Sequence, residues 1–527
     1  MSARADAGED VTPEGGYAAA AVGGVTWVGL QYVLGRGLLL ASFIFIARQI
    51  SPEEFGLYAA ALVFITYAAS IVDLGVSQAL VFLGADQRRA DAALAAIVLI
   101  GAVIAGASAL GAPAIAGFFG RADATPMIRY LSLFLFISIL SVVPDAILRA
   151  RLRFRRRFVA HFSGAATQAG VTVAFGLAGS GPWALVWGQL AGLTVSGILC
   201  WALAGYRPSR RFWRPRGDDI RALVSYGAPL AGHTLVITLV ADIDYLIVGR
   251  RLGSVALGFY AVAFRIPQMV VTNLFFIFSQ VMFPIYSATR DDIARLRRGF
   301  VSAVRIQSLI GITIGAGLAV IAPVLVPAVF GEKWSTSIVP LQALALYAAF
   351  RSLAGGAADV FSATGRPRLA LWSSLAQLAA LVPALLVATE GGIEGVAWTQ
   401  AGMALVIAMG LLAAAGRLVG LGWRGLVAAV APALAAGAGT AAAVAAVRFL
   451  MPGPDLLVLV LAALAGAAVG LGAFAVADRG SANEIRSLFR SRFPRLGGRE
   501  RAAAAASGAL DESLELHPGH PTENVTP

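Results

Sequence analysis

Apolar runs of about 20 residues or more recur along almost the whole chain, separated by short polar stretches. A helix rising 1.5 Å per residue needs about that length to cross the hydrocarbon of a bilayer. The pattern predicts about fourteen transmembrane helices, at residues 24–46, 55–82, 92–117, 127–148, 159–178, 183–204, 222–247, 258–286, 300–328, 336–362, 369–388, 393–415, 425–447 and 456–477. The alternating polar and apolar strands of an outer-membrane barrel are absent, and Ala, Leu, Gly and Val dominate. The expected class is an all-α integral membrane protein.

The polar stretches orient the helices. With the N-terminus in the cytoplasm, one set of loops holds Arg88, Arg89, the run Arg149, Arg151, Arg153, Arg155, Arg156 and Arg157, then Arg207, Arg210, Arg211, Arg214, Arg216 and Arg221, with further arginines at 290–298, 366–368, 417–424 and beyond 477. The opposite loops hold Arg48, Arg121, Arg129, Arg250, Arg251, Lys333 and Arg448. This bias predicts both termini on the cytoplasmic side of the cytoplasmic membrane. Residues 1–22 are polar and acidic, without the basic and apolar regions of a secretory signal, so the first helix is expected to direct insertion. Ile485, Leu488, Phe489 and Phe493, set among arginines, predict a short surface-lying helix, and 502–527 has a disorder-like composition.

Composition supports this reading: of 527 residues 58% are hydrophobic and 13% charged, with a mean hydropathy of +0.78. Soluble domains carry about 25% charged residues. The net charge of +12 sits in the loops that face the anionic inner leaflet, so membrane lipids explain it and nucleic acid is not expected as a partner. Cys200 is the single cysteine, which excludes an intramolecular disulfide and a cysteine-based zinc framework. No Walker-type phosphate loop, metal-ligand spacing or nucleophile with its base is present. Neither an enzyme nor an ATP-driven pump is expected, and no cofactor or metal.

Two stretches repeat. ARQISPEEFGLYA (47–59) and GRRLGSVALGFYA (249–261) match at Arg48/Arg250, Gly56/Gly258, Tyr58/Tyr260 and Ala59/Ala261 with an offset of 202. GPWALVWGQ (181–189) and GIEGVAWTQ (392–400) share Gly, Trp and Gln with an offset of 211. Six helices between equivalent points give both halves the same orientation, related by an axis along the membrane normal. The domains expected are an N-terminal tail (1–21), an N-lobe (22–205), a basic linker (206–221), a C-lobe (222–416), two extra helices (417–477) and a tail (478–527).

Ionisable groups inside a bilayer are costly, so those within the predicted spans are expected to face a cavity or a partner. Helix 2 aligns Thr66, Ser70, Asp73 and Ser77, helix 7 aligns Thr234, Thr238, Asp242 and Tyr245, and helix 8 aligns Arg265, Gln268, Thr272 and Ser279, each on one face. Arg36, Arg265 and Arg351 lie well inside the spans, and Asp359 in helix 10 joins the intramembrane carboxylates. Asp73 could instead pair with Arg36. Asp242 and Asp244 read equally as an outer gate or as a coupling-ion site. Asp145 beside the basic loop reads as a local ion-pair partner, and His233 as a hydrogen-bonded histidine.

RQISPEEFGLYAAALVF with DLGVSQAL, LRARLRFRRRF before SGPWALVWGQL, LVSYGAPLAGHTL leading to DIDYLIVGRRLGSVALGFYAVAFRIP, MFPIYSATRDD, and VFGEKWSTSIVPLQALAL with ATGRPRL together resemble the multidrug, oligosaccharidyl-lipid and polysaccharide exporter superfamily, and within it the Wzx-type polysaccharide flippases. The resemblance implies two six-helix lobes around a central cavity, with the two last helices outside the repeat. It implies alternating access that carries an undecaprenyl-diphosphate-linked saccharide to the outer leaflet, with coupling to a proton or sodium gradient left open. Glycosyltransferases and a polysaccharide polymerase are the implied functional partners. A cation-coupled multidrug antiporter or a lipid II flippase of the same superfamily are the alternatives, and behind them a membrane glycan polymerase or ligase. For a diphosphate substrate, Arg36, Arg265 and Arg351 are expected to converge on the cavity, with Asp73 limiting their field when it is empty.

Overall fold

The computed structural model describes residues 16–477 apart from 73–74, 211, 214, 270–281, 283–285, 287–288, 290–291, 355 and 452–455. Every regular element among the described residues is helical: α1 (Gly16–Gln49), α2 (Pro52–Val72), α3 (Val76–Leu83), α4 (Gln87–Leu110), α5 (Ala112–Phe118), α6 (Thr125–Ala150), α7 (Phe154–Leu177), α8 (Trp183–Ala204), α9 (Gly217–Arg251), α10 (Gly253–Pro267), α11 (Ile293–Phe330), α12 (Ile338–Leu353), α13 (Ala357–Ala363), α14 (Pro367–Ala388), α15 (Gly392–Leu418), α16 (Trp423–Leu450) and α17 (Leu456–Ala477). Eight helical stretches among the described residues are long and apolar enough to cross a bilayer, with shorter apolar helices besides. Exposed Leu99, Val103, Leu110, Val406, Leu461 and Leu464 leave an apolar surface suited to lipid.

Several expected spans are broken where the backbone demands it. The span expected at 55–82 is two helices, because Gly75 adopts a left-handed φ of 67° and approaches Gly227 so closely that a Cβ would lie 2.4 Å from its carbonyl oxygen. The span at 92–117 divides at Gly111 ahead of Pro113. The span at 336–362 divides between Leu353 and Ala357. Others are longer than their apolar cores: α9 and α11 take in polar first turns, and Asp292 caps α11 by accepting from Arg295 N at 3.0 Å. Ser51 and Glu54 form a reciprocal capping box at the start of α2, at 2.8 and 3.2 Å. The predicted tail helix and the sequence beyond it lie outside the described residues.

Helices α1–α8 pack as one bundle and α9–α15 as another, with α16 and α17 laid against α11. Small residues permit the close contacts: at Gly164 of α7 an added Cβ would lie 2.8 Å from the Gly192 carbonyl oxygen of α8, and at Gly437 of α16 2.6 Å from Ile312 of α11.

The bundles meet at the arginine-poor end through α2 and α10. A Cβ on Gly56 would fall 1.7 Å from the Ser254 oxygen, and one on Gly258 2.1 Å from the Pro52 oxygen. Pro52 and Ser254 stand 202 residues apart, as Gly56 and Gly258 do, so the repeat register is also the register of a reciprocal contact. Around it the loop after α11 is bolted to α1: Trp334, fully buried, donates to Ala47 O at 2.9 Å. Lys333 Nζ donates to Arg48 O and Ile50 O at 2.9 and 2.7 Å, and Arg48 Nε to Val329 O at 2.7 Å. Arg121 joins Asp123 at 2.6 Å, Glu53 at 2.7 Å and Ser254 Oγ at 2.9 Å, and the bonds to Asp123 and then Glu53 hold its guanidinium above its ordinary pKa range. That end is shut.

At the arginine-rich end the linker after α8 is tied to α4. Tyr206 Oη donates to Asp91 Oδ1 at 2.6 Å, Gln87 Nε2 to Arg207 O at 2.7 Å, and Arg88 pairs with Asp219 at 2.9 Å. Burial, reinforced by Asp91, pushes the Tyr206 phenol far above its usual pKa.

Candidate functional site

Beneath the closed end a polar cluster spans the contact between the bundles. Its residues come from α1 (Arg36, Phe43), α2 (Tyr58, Tyr67), α9 (Asp242, Asp244, Tyr245), α10 (Tyr260, Arg265), α12 (Tyr347, Arg351) and α15 (Gln400). Asp244 is fully buried; Tyr260 Oη donates to its Oδ2 at 2.6 Å and the Tyr245 backbone N–H to its Oδ1 at 3.0 Å. Gln400, 2% exposed, lies beside that carboxylate with its Nε2 outside hydrogen-bond geometry. Arg351 donates to Tyr347 Oη at 2.8 Å and lies within electrostatic reach of Asp242 and Asp244.

Arg265 is held differently. Its guanidinium carbon stands 5.2 Å over the Phe43 ring, its Nε is buried with no hydrogen-bond partner, and no carboxylate among the described residues pairs with it. It lies within electrostatic reach of Tyr58, Tyr245 and a second cation, Arg36, which is exposed on α1. A buried guanidinium with a second one in electrostatic reach is the kind of group to which an anion adds fork-shaped hydrogen bonds and Coulomb attraction.

The repeat explains part of this arrangement. Tyr58 donates to Gln189 Oε1 at 2.7 Å in the first bundle, and its counterpart Tyr260 donates to Asp244 beside Gln400, the counterpart of Gln189, in the second. The position matching Asp244 is Ser42, buried and donating to Leu39 O at 3.0 Å. At this aligned position the carboxylate is present in the second half and replaced by a hydroxyl in the first.

Arg36 lies within electrostatic reach of Arg265, whereas Arg351 faces the carboxylates, linked to Arg265 through Tyr245 and Tyr347. Asp73 and Thr272 lie outside the described residues, as do the side chains of Ser70 and His233. Thr66 is exposed and donates to Leu62 O at 2.9 Å, while Ser77 is buried and donates to Gln78 at 2.9 Å. Thr234 is exposed, Thr238 and Asp242 half-buried, and Gln268 follows the end of α10. Asp359 lies elsewhere, on α13 toward the arginine-rich end. Asp145 is the ion-pair partner expected of it, hydrogen-bonded to Arg157 at 2.7 Å and His161 at 2.8 Å and in an ion pair with Arg149 at 3.0 Å. Cys200 completes a group of potential metal donors with Asp145 and His161, but the two guanidiniums already balance that carboxylate. Tyr347 and Phe43 were not singled out by sequence; the i, i+4 spacing of Tyr347 and Arg351 on one helix was the available signal.

Two helical bundles that meet over a buried polar centre define a multi-span membrane transporter. Residues 45–339 match the model of the polysaccharide biosynthesis protein family, and the chain belongs to that family. It is 26% identical to the teichuronic acid biosynthesis protein TuaB of Bacillus subtilis over 390 residues, covering 73% of this chain and 80% of that one. To the lipopolysaccharide biosynthesis protein WzxC of Escherichia coli it is 25% identical over 376 residues, 69% of this chain and 74% of the other. Among solved structures the fold is similar to the inward closed conformation of the lipid II flippase MurJ, with a TM-score of 0.67 at 13% identity over 87% of this chain and 99% of that one. It is also similar to an inward-facing multidrug transporter of the same superfamily, with a TM-score of 0.62 at 16% identity over 75% of this chain and 98% of the other. The Wzx-type resemblance drawn from the sequence is borne out.

Proposed function

We propose that the protein carries undecaprenyl-diphosphate-linked saccharide repeat units across the cytoplasmic membrane by alternating access, leaving their covalent bonds unchanged. The observation that carries this reading is Arg265: a buried guanidinium against Phe43, near Arg36, with no carboxylate paired to it among the described residues. An unpaired cation within a bilayer is costly unless an anionic guest neutralises it, and a diphosphate does so with oxygens matched to the guanidinium fork. Arg351, already balanced by Tyr347 and the two aspartates, extends the field without competing for the same atoms.

The arginine bias places the arginine-rich end in the cytoplasm, so the shut end faces outward and the substrate enters from the inner leaflet. Fourteen spans follow, with both termini inside, lobes at 22–205 and 222–416 joined by the basic linker, and two extra helices at 417–477. Glycosyltransferases would supply the substrate and a polymerase would receive it.

The test is flipping of a lipid-linked oligosaccharide in proteoliposomes. Activity is expected to fall in the order Arg, Lys, then Gln or Ala at positions 36 and 265, at equal protein levels. Full activity with alanine at both positions would refute the diphosphate site. Drug uptake without glycan flipping would establish the antiporter alternative.

A further inference from the structure

A recess apart from the central arginines opens at the arginine-rich end, between α13 and α14. It has a volume of about 530 Å³ and is lined by Gly365, Arg366, Arg368 and Leu369, within the roughly 300–1,000 Å³ range of small-molecule sites. The turn beneath it is fixed. Gly365, at a φ of 75°, ends α13 by donating its N–H to Ser362 O at 3.2 Å, and the Arg366 N–H donates to Phe361 O at 2.8 Å. Arg366 and Arg368 are exposed, and neither guanidinium is held by a hydrogen bond or an ion pair among the described residues.

The first half holds a neutralised counterpart. Arg155 and Arg157 stand 211 residues before Arg366 and Arg368, the offset of the second repeat. There Asp145 pairs with Arg157 at 2.7 Å, whereas the residue matching Asp145 in the second half is Gly356. His161, which also holds Asp145, is matched by Trp372, 66% exposed. Leu369, 43% exposed on the recess wall, lies three residues before Trp372 on the same face of α14. Where the first half has an internal ion network, the second has two open guanidiniums beside an apolar strip.

The combination narrows the ligand. A soluble anion gains nothing from an exposed leucine and tryptophan, and a neutral lipid gains nothing from two cations. Two guanidinium forks match two linked phosphates, whereas a single phosphodiester fills one of them. We infer that Arg366 and Arg368 hold the diphosphate of an isoprenoid lipid at the inner interface, with the start of its chain along Leu369 and Trp372. Its use as a loading point for the flipped substrate rests on the transport reading above, whereas the binding does not.

The experiment is equilibrium binding of radiolabelled farnesyl diphosphate to purified full-length protein in detergent, in an Arg36→Gln, Arg265→Gln background that silences the central arginines. One saturable site is expected. Arg366→Gln with Arg368→Gln is expected to weaken it roughly 10-fold or more. Lysine at both positions, which keeps the charge and loses the fork, is expected to weaken it several-fold. Trp372→Ala is expected to weaken farnesyl diphosphate while inorganic diphosphate competes as before. Binding that ignores both arginine pairs overturns the proposal. So does farnesol competing as well as farnesyl diphosphate, or phosphatidylglycerol displacing the probe at equal concentration, which would assign the recess to ordinary phospholipid. No glycan is present and no flipping is measured, so the site can fail while the transport reading stands, and the reverse.

Discussion

Arg265 and Arg351 are of one residue type and both lie on apolar helices, yet their surroundings give them opposite energetic roles. Arg351 holds the Tyr347 hydroxyl and faces Asp242 and Asp244, so removing it strands a buried phenol and two carboxylates. Arg351→Gln is therefore expected to lower the melting temperature, with a stability loss of about 1–3 kcal/mol for the groups left unpaired. Arg265 lies over the face of Phe43 with no carboxylate paired to it among the described residues, and its loss removes a charge that none of them balances. Arg265→Gln is expected to keep or raise the melting temperature while flipping falls roughly 10- to 100-fold, the worth of a charge-assisted hydrogen bond to the substrate. Thermal shift and flipping assays on both variants check the contrast, and a loss of stability confined to Arg265→Gln would reverse the two roles. The sequence made these arginines visible because a charge in an apolar run is conspicuous. It did not separate them, because the difference lies in tyrosines from other helices, and tyrosine in a membrane helix ordinarily reads as an interfacial anchor.

Between helices, the decisive contact is that of α2 with α10, where glycines let two backbones touch at the shut end. Gly56→Ala would place a methyl group 1.7 Å from the Ser254 carbonyl oxygen, a clash that only separation of the helices relieves. The expected result is a shift toward the outward-open state, read as faster labelling of a cysteine at Ser254→Cys from the outside in a Cys200→Ser background. Gly402→Ala, where nothing lies within 4 Å, should leave the labelling unchanged. Equal labelling in all three proteins would mean that this contact does not hold the end closed. The apolar runs made most of the helices legible, and the repeat marked this contact, since Gly56 and Gly258 match in the aligned segments. The breaks at Gly75 and between α12 and α13 were not legible, because hydropathy continues across them while a positive φ and a local turn do not. Ties such as Tyr206 to Asp91 join residues 115 positions apart and leave no local pattern.

For the molecule as a whole, a reporter fused after Arg156 or Arg214 is expected to be cytoplasmic and one at 331–335 external; the reverse at both kinds of site would invert the orientation. Removal of residues 500–527 is expected to leave flipping intact, since that stretch offers no apolar face to bury. Loss of flipping at normal membrane levels would show that the tail contributes. The reciprocal meeting of Gly56 with Ser254 and of Gly258 with Pro52 has the geometry of a two-fold homodimer interface, written into a single polypeptide. In a half-length ancestor that paired with itself, one substitution would have struck the interface twice and burdened both sides. Fusion ended that coupling, and each copy became free to change by itself: a proline against a serine at the contact, a serine at position 42 against an aspartate at position 244. The carboxylate at position 244 is in these terms an asymmetry open to a duplicated gene, because an obligate pair of identical chains would have carried it on both sides or on neither.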